Sequence, residues 1–187
     1  MSDIEPKRAT IVLSDDALTV QGKRLASPIT ESILIEALGP PDRILEGNPP
    51  APAGHRNNQA YIYDEIGVYW LRDHKTRLMM ELTVVFRQGA GPFRIPFMPL
   101  HAFGGTIQLV GCTIDSQTSS ANLQRELQGA VKHFVGGVWA GYMGPFHVSF
   151  AVDRSRPSAQ PGREGDLISV SIGFRRLSDL VTPVQVT

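Results

Sequence analysis

Two stretches of the chain share one spacing, and that spacing limits what it can fold into. Leu18-Thr-Val20-Gln-Gly22-Lys-Arg-Leu25 and Ile107-Gln-Leu109-Val-Gly111-Cys-Thr-Ile114 both read apolar-x-apolar-x-Gly-x-x-apolar, with Gly22 and Gly111 89 positions apart. At the same offset Ser27 falls on Ser116, Thr30 on Ser119, Leu34 on Leu123 and Leu38 on Leu127. Further on, Tyr63-Asp-Glu-Ile-Gly67 resembles Ala140-Gly-Tyr-Met-Gly144. Leu82-x-Val84-x-Phe86 matches Val170-x-Ile172-x-Phe174. The unmatched pieces, Glu46–Asn58 and Arg154–Gly165, are rich in turn residues. Matches in periodic sequence and gaps in turn sequence are what a duplicated structural unit leaves behind.

Each unit reads as strands around one helix. Apolar residues surround Ser14-Asp15-Asp16 as in a hairpin. Ile33, Leu34, Ala37 and Leu38 lie on one helical face after Thr30, whose hydroxyl is expected to cap the helix. Gly39-Pro40-Pro41 stops it, because glycine accepts a left-handed C-cap and proline cannot continue. Three strands follow, near 60–64, 67–72 and 79–87, then near 137–143, 145–153 and 166–175. The fold class expected is α+β. It consists of two tandem ββαβββ repeats over residues 1–88 and 89–187, each an antiparallel sheet with one helix. Leu18, Val20, Leu34, Leu38, Val84, Leu109, Leu123, Leu127 and Ile172 are the expected core.

The stretch Gln59-Ala-Tyr-Ile-Tyr-Asp-Glu-Ile-Gly-Val-Tyr-Trp-Leu71 places two carboxylates inside a strand pattern. Turn geometry accounts for them: Asp64 at the first position bonds a backbone amide, Glu65 and Ile66 are central, and Gly67 takes positive φ. Neighbouring strand residues point to opposite faces, so Asp64 and Glu65 do not converge as a catalytic dyad must. Because the strand after the turn buries only one face, one of Tyr69 and Trp70 is expected to be exposed.

Eighteen basic residues balance eighteen acidic ones, which argues against nucleic acid or an anionic membrane as partner. The single Cys112 rules out an internal disulfide. Five scattered histidines show no metal-binding helix spacing, so neither metal nor cofactor is expected. The N-terminus carries no secretory pattern, and no apolar run approaches the roughly 20 residues of a membrane helix. A cytoplasmic protein is the expectation. Phe93–Gly105 is apolar and proline-broken, fitting either an irregular core filler or an exposed apolar surface.

The run Leu38-Gly-Pro-Pro-Asp42-Arg43-Ile44, then a loop, then Ala60-Tyr-Ile-Tyr-Asp64-Glu-Ile-Gly67, resembles an L-G-x-P-D-R…Y-x-Y-D-x-x-G pattern. That pattern is associated with small bacterial domains of unknown function, distantly like the helix-plus-sheet domain of the outer-membrane assembly lipoprotein BamE. The resemblance implies an immunity protein that binds and occludes a secreted bacterial toxin, of the type VI or contact-dependent kind. It covers residues 18–86. On that reading no residue is catalytic, and the partner surface comprises Arg56, Asn57, Asp64, Glu65, Tyr69 and Trp70. The alternative is an enzyme or small-ligand binder between the two units, using Asp42, Arg43, Asp64 and Glu65 with His133 from the second.

Overall fold

The computed structural model describes residues 9–14, 16–25, 27–46, 58–87, 98–109, 111–127, 130–134, 138–152 and 167–174. It is a mixed α+β structure of two sheets and two helices among those residues. The first half supplies β1 (Thr10–Leu13), β2 (Leu18–Val20), β3 (Lys23–Leu25), α1 (Glu31–Leu38), β4 (Arg43–Leu45), β5 (Asn58–Tyr63), β6 (Val68–Asp73) and β7 (Met79–Val85). The second supplies β8 (Thr106–Leu109), β9 (Cys112–Ile114), α2 (Ser120–Glu126), β10 (Val131–Phe134), β11 (Val138–Met143), β12 (Phe146–Val152) and β13 (Leu167–Gly173).

These elements differ from the expected pattern in three ways. Four strands, not three, follow each helix, because Arg43–Leu45 and Val131–Phe134 join the sheet as its edges. The first half also carries an extra strand, since β3 follows the β1–β2 hairpin. Nor does each half own a sheet. The small sheet runs β3-β2-β1-β8-β9 and the large one β10-β11-β12-β13-β7-β6-β5-β4, so the ranges 1–88 and 89–187 contribute to both. The joints are the parallel pair β1–β8, with Ile11 opposite Ile107, and the antiparallel pair β7–β13, with Thr83 opposite Ser171. Pairing there satisfies backbone N–H and C=O groups that separate sheets would leave as open edges.

The inner faces of the two sheets and the helices share one apolar core. Leu18, Val20, Leu34, Val84, Leu109, Leu123, Leu127 and Ile172 are buried as expected, while Leu38 is only half-buried against the core. Trp70 is fully buried and stacks on Phe174, with centroids 5.6 Å apart and planes 6° apart. Its indole Nε1 has no hydrogen-bond partner among the described residues. An orphaned donor costs about 1–3 kcal/mol, whereas removing roughly 200 Å² of indole from water yields about 5 kcal/mol, so burial wins.

Candidate functional site: the clamp at the first hairpin tip

Helix α1 ends where Gly39 adopts φ 84° and its amide bonds the Ile35 carbonyl at 2.8 Å. The chain then turns through two prolines and delivers Asp42 and Arg43 to the edge strand β4. That strand lies beside β5, with Arg43 opposite Ile62. Strand β5 ends at Tyr63, and residues 64–67 make the turn into β6. The positive φ falls on Gly67, at 82°, as the turn chemistry predicts.

The Asp64 carboxylate does not cap this turn as expected: the Gly67 amide donates to the Tyr63 carbonyl at 3.0 Å, and the carboxylate is bound elsewhere. Arg43 Nε donates to its Oδ2 at 2.6 Å and Arg43 Nη2 to its Oδ1 at 2.7 Å, a bidentate ion pair. The Leu100 amide also donates to Oδ1, at 2.8 Å. Asp64's own amide donates to Asp42 Oδ2 at 2.7 Å, and its carbonyl accepts from the His101 amide at 3.2 Å. Arg43 Nη2 further donates to the Met98 carbonyl at 3.0 Å. The Asp-Arg of one motif segment and the Asp of the other therefore fasten the segment 98–101 to the hairpin tip. The carboxyl group of Asp64 is held below the ordinary carboxylate range, chiefly by the Arg43 hydrogen bond and against the opposing effect of burial. The same bond raises Arg43.

The glycine completes the contact. A Cβ on Gly67 would stand 2.3 Å from the Phe103 backbone nitrogen, so only glycine lets this backbone approach. Phe103 is buried, donates its amide to the Val85 carbonyl at 2.7 Å and meets Phe86 edge-on at 5.5 Å. The 98–105 part of the apolar stretch is thus core filler at Phe103 and exposed apolar surface at Leu100, which is 63% exposed.

The expected surface residues separate on this frame. Glu65 is exposed at the turn. Asp64 is 7% exposed and consumed by the clamp, and Trp70 is fully buried, so neither presents a face to a partner. The reason for Trp70 is parity: it shares the inner face of β6 with Val68, opposite Leu82 of β7. Tyr69, on the other face opposite Thr83, is half-buried, and burial pushes its phenol up to about 12. Arg56 and Asn57 lie outside the described residues. His133 sits on β10 opposite Trp139, whereas Asp42 and Arg43 stand at β4. The eight-stranded order places β10 and β4 at opposite edges, roughly 30 Å apart along the sheet, so the histidine does not join the clamp.

Sequence reasoning missed the union of Arg43 with Asp64. The available signal was one cation and two carboxylates in a single motif, whose charges can be buried only if they meet. It also missed a second, part-buried ion cluster: Arg72 donates to Tyr61 Oη and to Glu31 Oε2, the latter at 3.1 Å, tying β6 to the first turn of α1. Among the described residues no cluster of three histidine, cysteine, aspartate or glutamate side chains could hold a metal ion, and no helix is long and apolar enough to cross a membrane. A shallow depression of about 480 Å³ on the small sheet is lined by Val12, Leu13, Ser14, Gln108, Gly111, Cys112 and Thr113. Burial pushes the Cys112 thiol up to about 12, so it is protonated at neutral pH and a poor nucleophile.

No curated protein matches the chain. Among solved structures, the crystal structure of a cysteine-rich secretory protein from Staphylococcus aureus subsp. aureus Mu50 aligns at 11% identity and a TM-score of 0.37, over 90% of this chain and 51% of that one. The chain spans about half the length of that protein, and a likeness this loose carries no argument. A family model matches residues 10–124, from β1 into α2 and across the whole clamp, and the chain belongs to that family, a domain of unknown function (DUF7738).

Proposed function

We propose that this protein is a non-enzymatic binding module: a cytoplasmic immunity protein that binds and occludes a cognate secreted bacterial toxin domain. The observation that carries the reading is the clamp. Asp42, Arg43 and Asp64, the charged residues of the motif, are hydrogen-bonded to one another and to backbone, so their ionisable atoms are committed to architecture rather than aimed at a substrate. A general base must have a lone pair within reach of a substrate proton, and Asp64 already shares its oxygens among three donors. What the clamp leaves exposed at the tip is Glu65 and Leu100, the latter with its amide bonded to Asp64.

A tandem duplication fits the same reading. The order β2-β3-α1-β4-β5-β6-β7 recurs as β8-β9-α2-β10-β11-β12-β13, and in the eight-stranded sheet β4–β7 and β10–β13 lie in reversed order on either side of the β7–β13 joint. A duplicated scaffold with one decorated tip suits a protein whose sheet stays constant while its loops change partners. The test is to look for a secreted protein with a toxic C-terminal domain in the neighbouring reading frame and to co-express that domain with this chain. Growth should be rescued, and a stable complex should purify. Growth arrest without complex formation would sink the proposal.

A further inference from the structure

No further inference is drawn: the strongest candidate, the shallow depression on the small sheet, is walled on its polar side by the exposed side chains of Ser14, Gln108 and Thr113, and nothing in the structure shows what would occupy it.

Discussion

The tips of the two halves end equivalent hairpins in different ways. In the first, four residues, 64–67, join β5 to β6, and the turn is bound to segment 98–103 by the Asp64 ion pair and the Gly67–Phe103 approach. In the second, Gly144-Pro145 alone join β11 to β12, with Met143 opposite Phe146 and Gly144 at φ 56°. The matching of Asp64-Glu65 with Gly141-Tyr142 therefore does not survive, because those two residues lie inside β11. The difference teaches what the motif is for. The sheet closes a hairpin without any acid, so Arg43 and Asp64 serve the segment 98–101, while Asp42 holds the tip through the Asp64 amide.

The sharpest way to break that comparison is at the turn glycines. Gly22 and Gly111, equivalently spaced in the two halves, have φ 78° and 80°, and a Cβ added at either would meet no heavy atom within 4 Å. Alanine there should cost only the left-handed backbone penalty, about 1 kcal/mol. Gly67 has nearly the same φ, 82°, but a Cβ there meets backbone at 2.3 Å, so Gly67→Ala must also push the Phe103 segment away. We expect a loss of about 3 kcal/mol by urea unfolding. Equal losses at all three glycines would mean that the segment is not held against the first tip.

The ion pair comes next. Asp64→Asn should cost about 2 kcal/mol, since it ends the bidentate pair and weakens the acceptor of the Leu100 amide. It stays below the cost of breaking a fully buried pair because the Arg43 side chain is 34% exposed and can rehydrate. Gly144 has no such partner among the described residues, so no single change at the second tip should match this loss without altering the backbone.

How much of this the sequence disclosed depends on range. The strands β5, β6, β11, β12 and β13, the two helices and nearly all the expected core residues follow from local periodicity, which acts over a few residues. The edge strands β4 and β10 did not: runs of three or four residues are too short to show an alternation, and Arg43-Ile44-Leu45 buries no side chain fully. The clamp was hidden for another reason. Asp64 meets Leu100 across 36 residues of chain, and no periodicity encodes a contact at that distance. Trp70 was readable in part: parity with Val68 places both on one face, but nothing local says which face is inner.

The comparison sharpens with pH. The folded pKa of Asp64 lies below its unfolded value, near about 3.9, so its stabilisation is fully present above about pH 4 and fades as the pH falls through the lower folded value. Asp73, also held low, first by the Thr76 amide, acts equally in wild type and Asp64→Asn and cancels in their difference. The gap in unfolding free energy between the two proteins should therefore be widest near pH 6 and close as acid is added. A gap that stays constant down to about pH 2.5 would assign the Asn effect to shape rather than charge.

The smallest expected difference lies at the helix caps, where the halves again diverge. Ser119 precedes α2, and its hydroxyl accepts from the Asn122 amide at 3.3 Å, satisfying one orphan donor of the first turn. Thr30 holds the same place before α1 with nearly the same backbone, φ −99° against −95°, yet makes no side-chain cap bond. Its hydroxyl pairs instead with the Ser32 hydroxyl at 2.9 Å, while its backbone bridges to Leu78. The expectation from sequence that Thr30 caps through its hydroxyl is thus corrected: that hydroxyl is engaged with Ser32 instead of a first-turn amide. Ser119→Ala should cost about 1 kcal/mol and Thr30→Ala only a few tenths. Because α1 is also anchored by the Arg72–Glu31 pair, its first turn has a second fastening that α2 lacks among the described residues. Amide exchange reads this directly: Asn122 should lose protection in Ser119→Ala, while the first turn of α1 keeps its protection in Thr30→Ala. Equal losses in both helices would mean that the shared backbone geometry, not the hydroxyl, is what caps them.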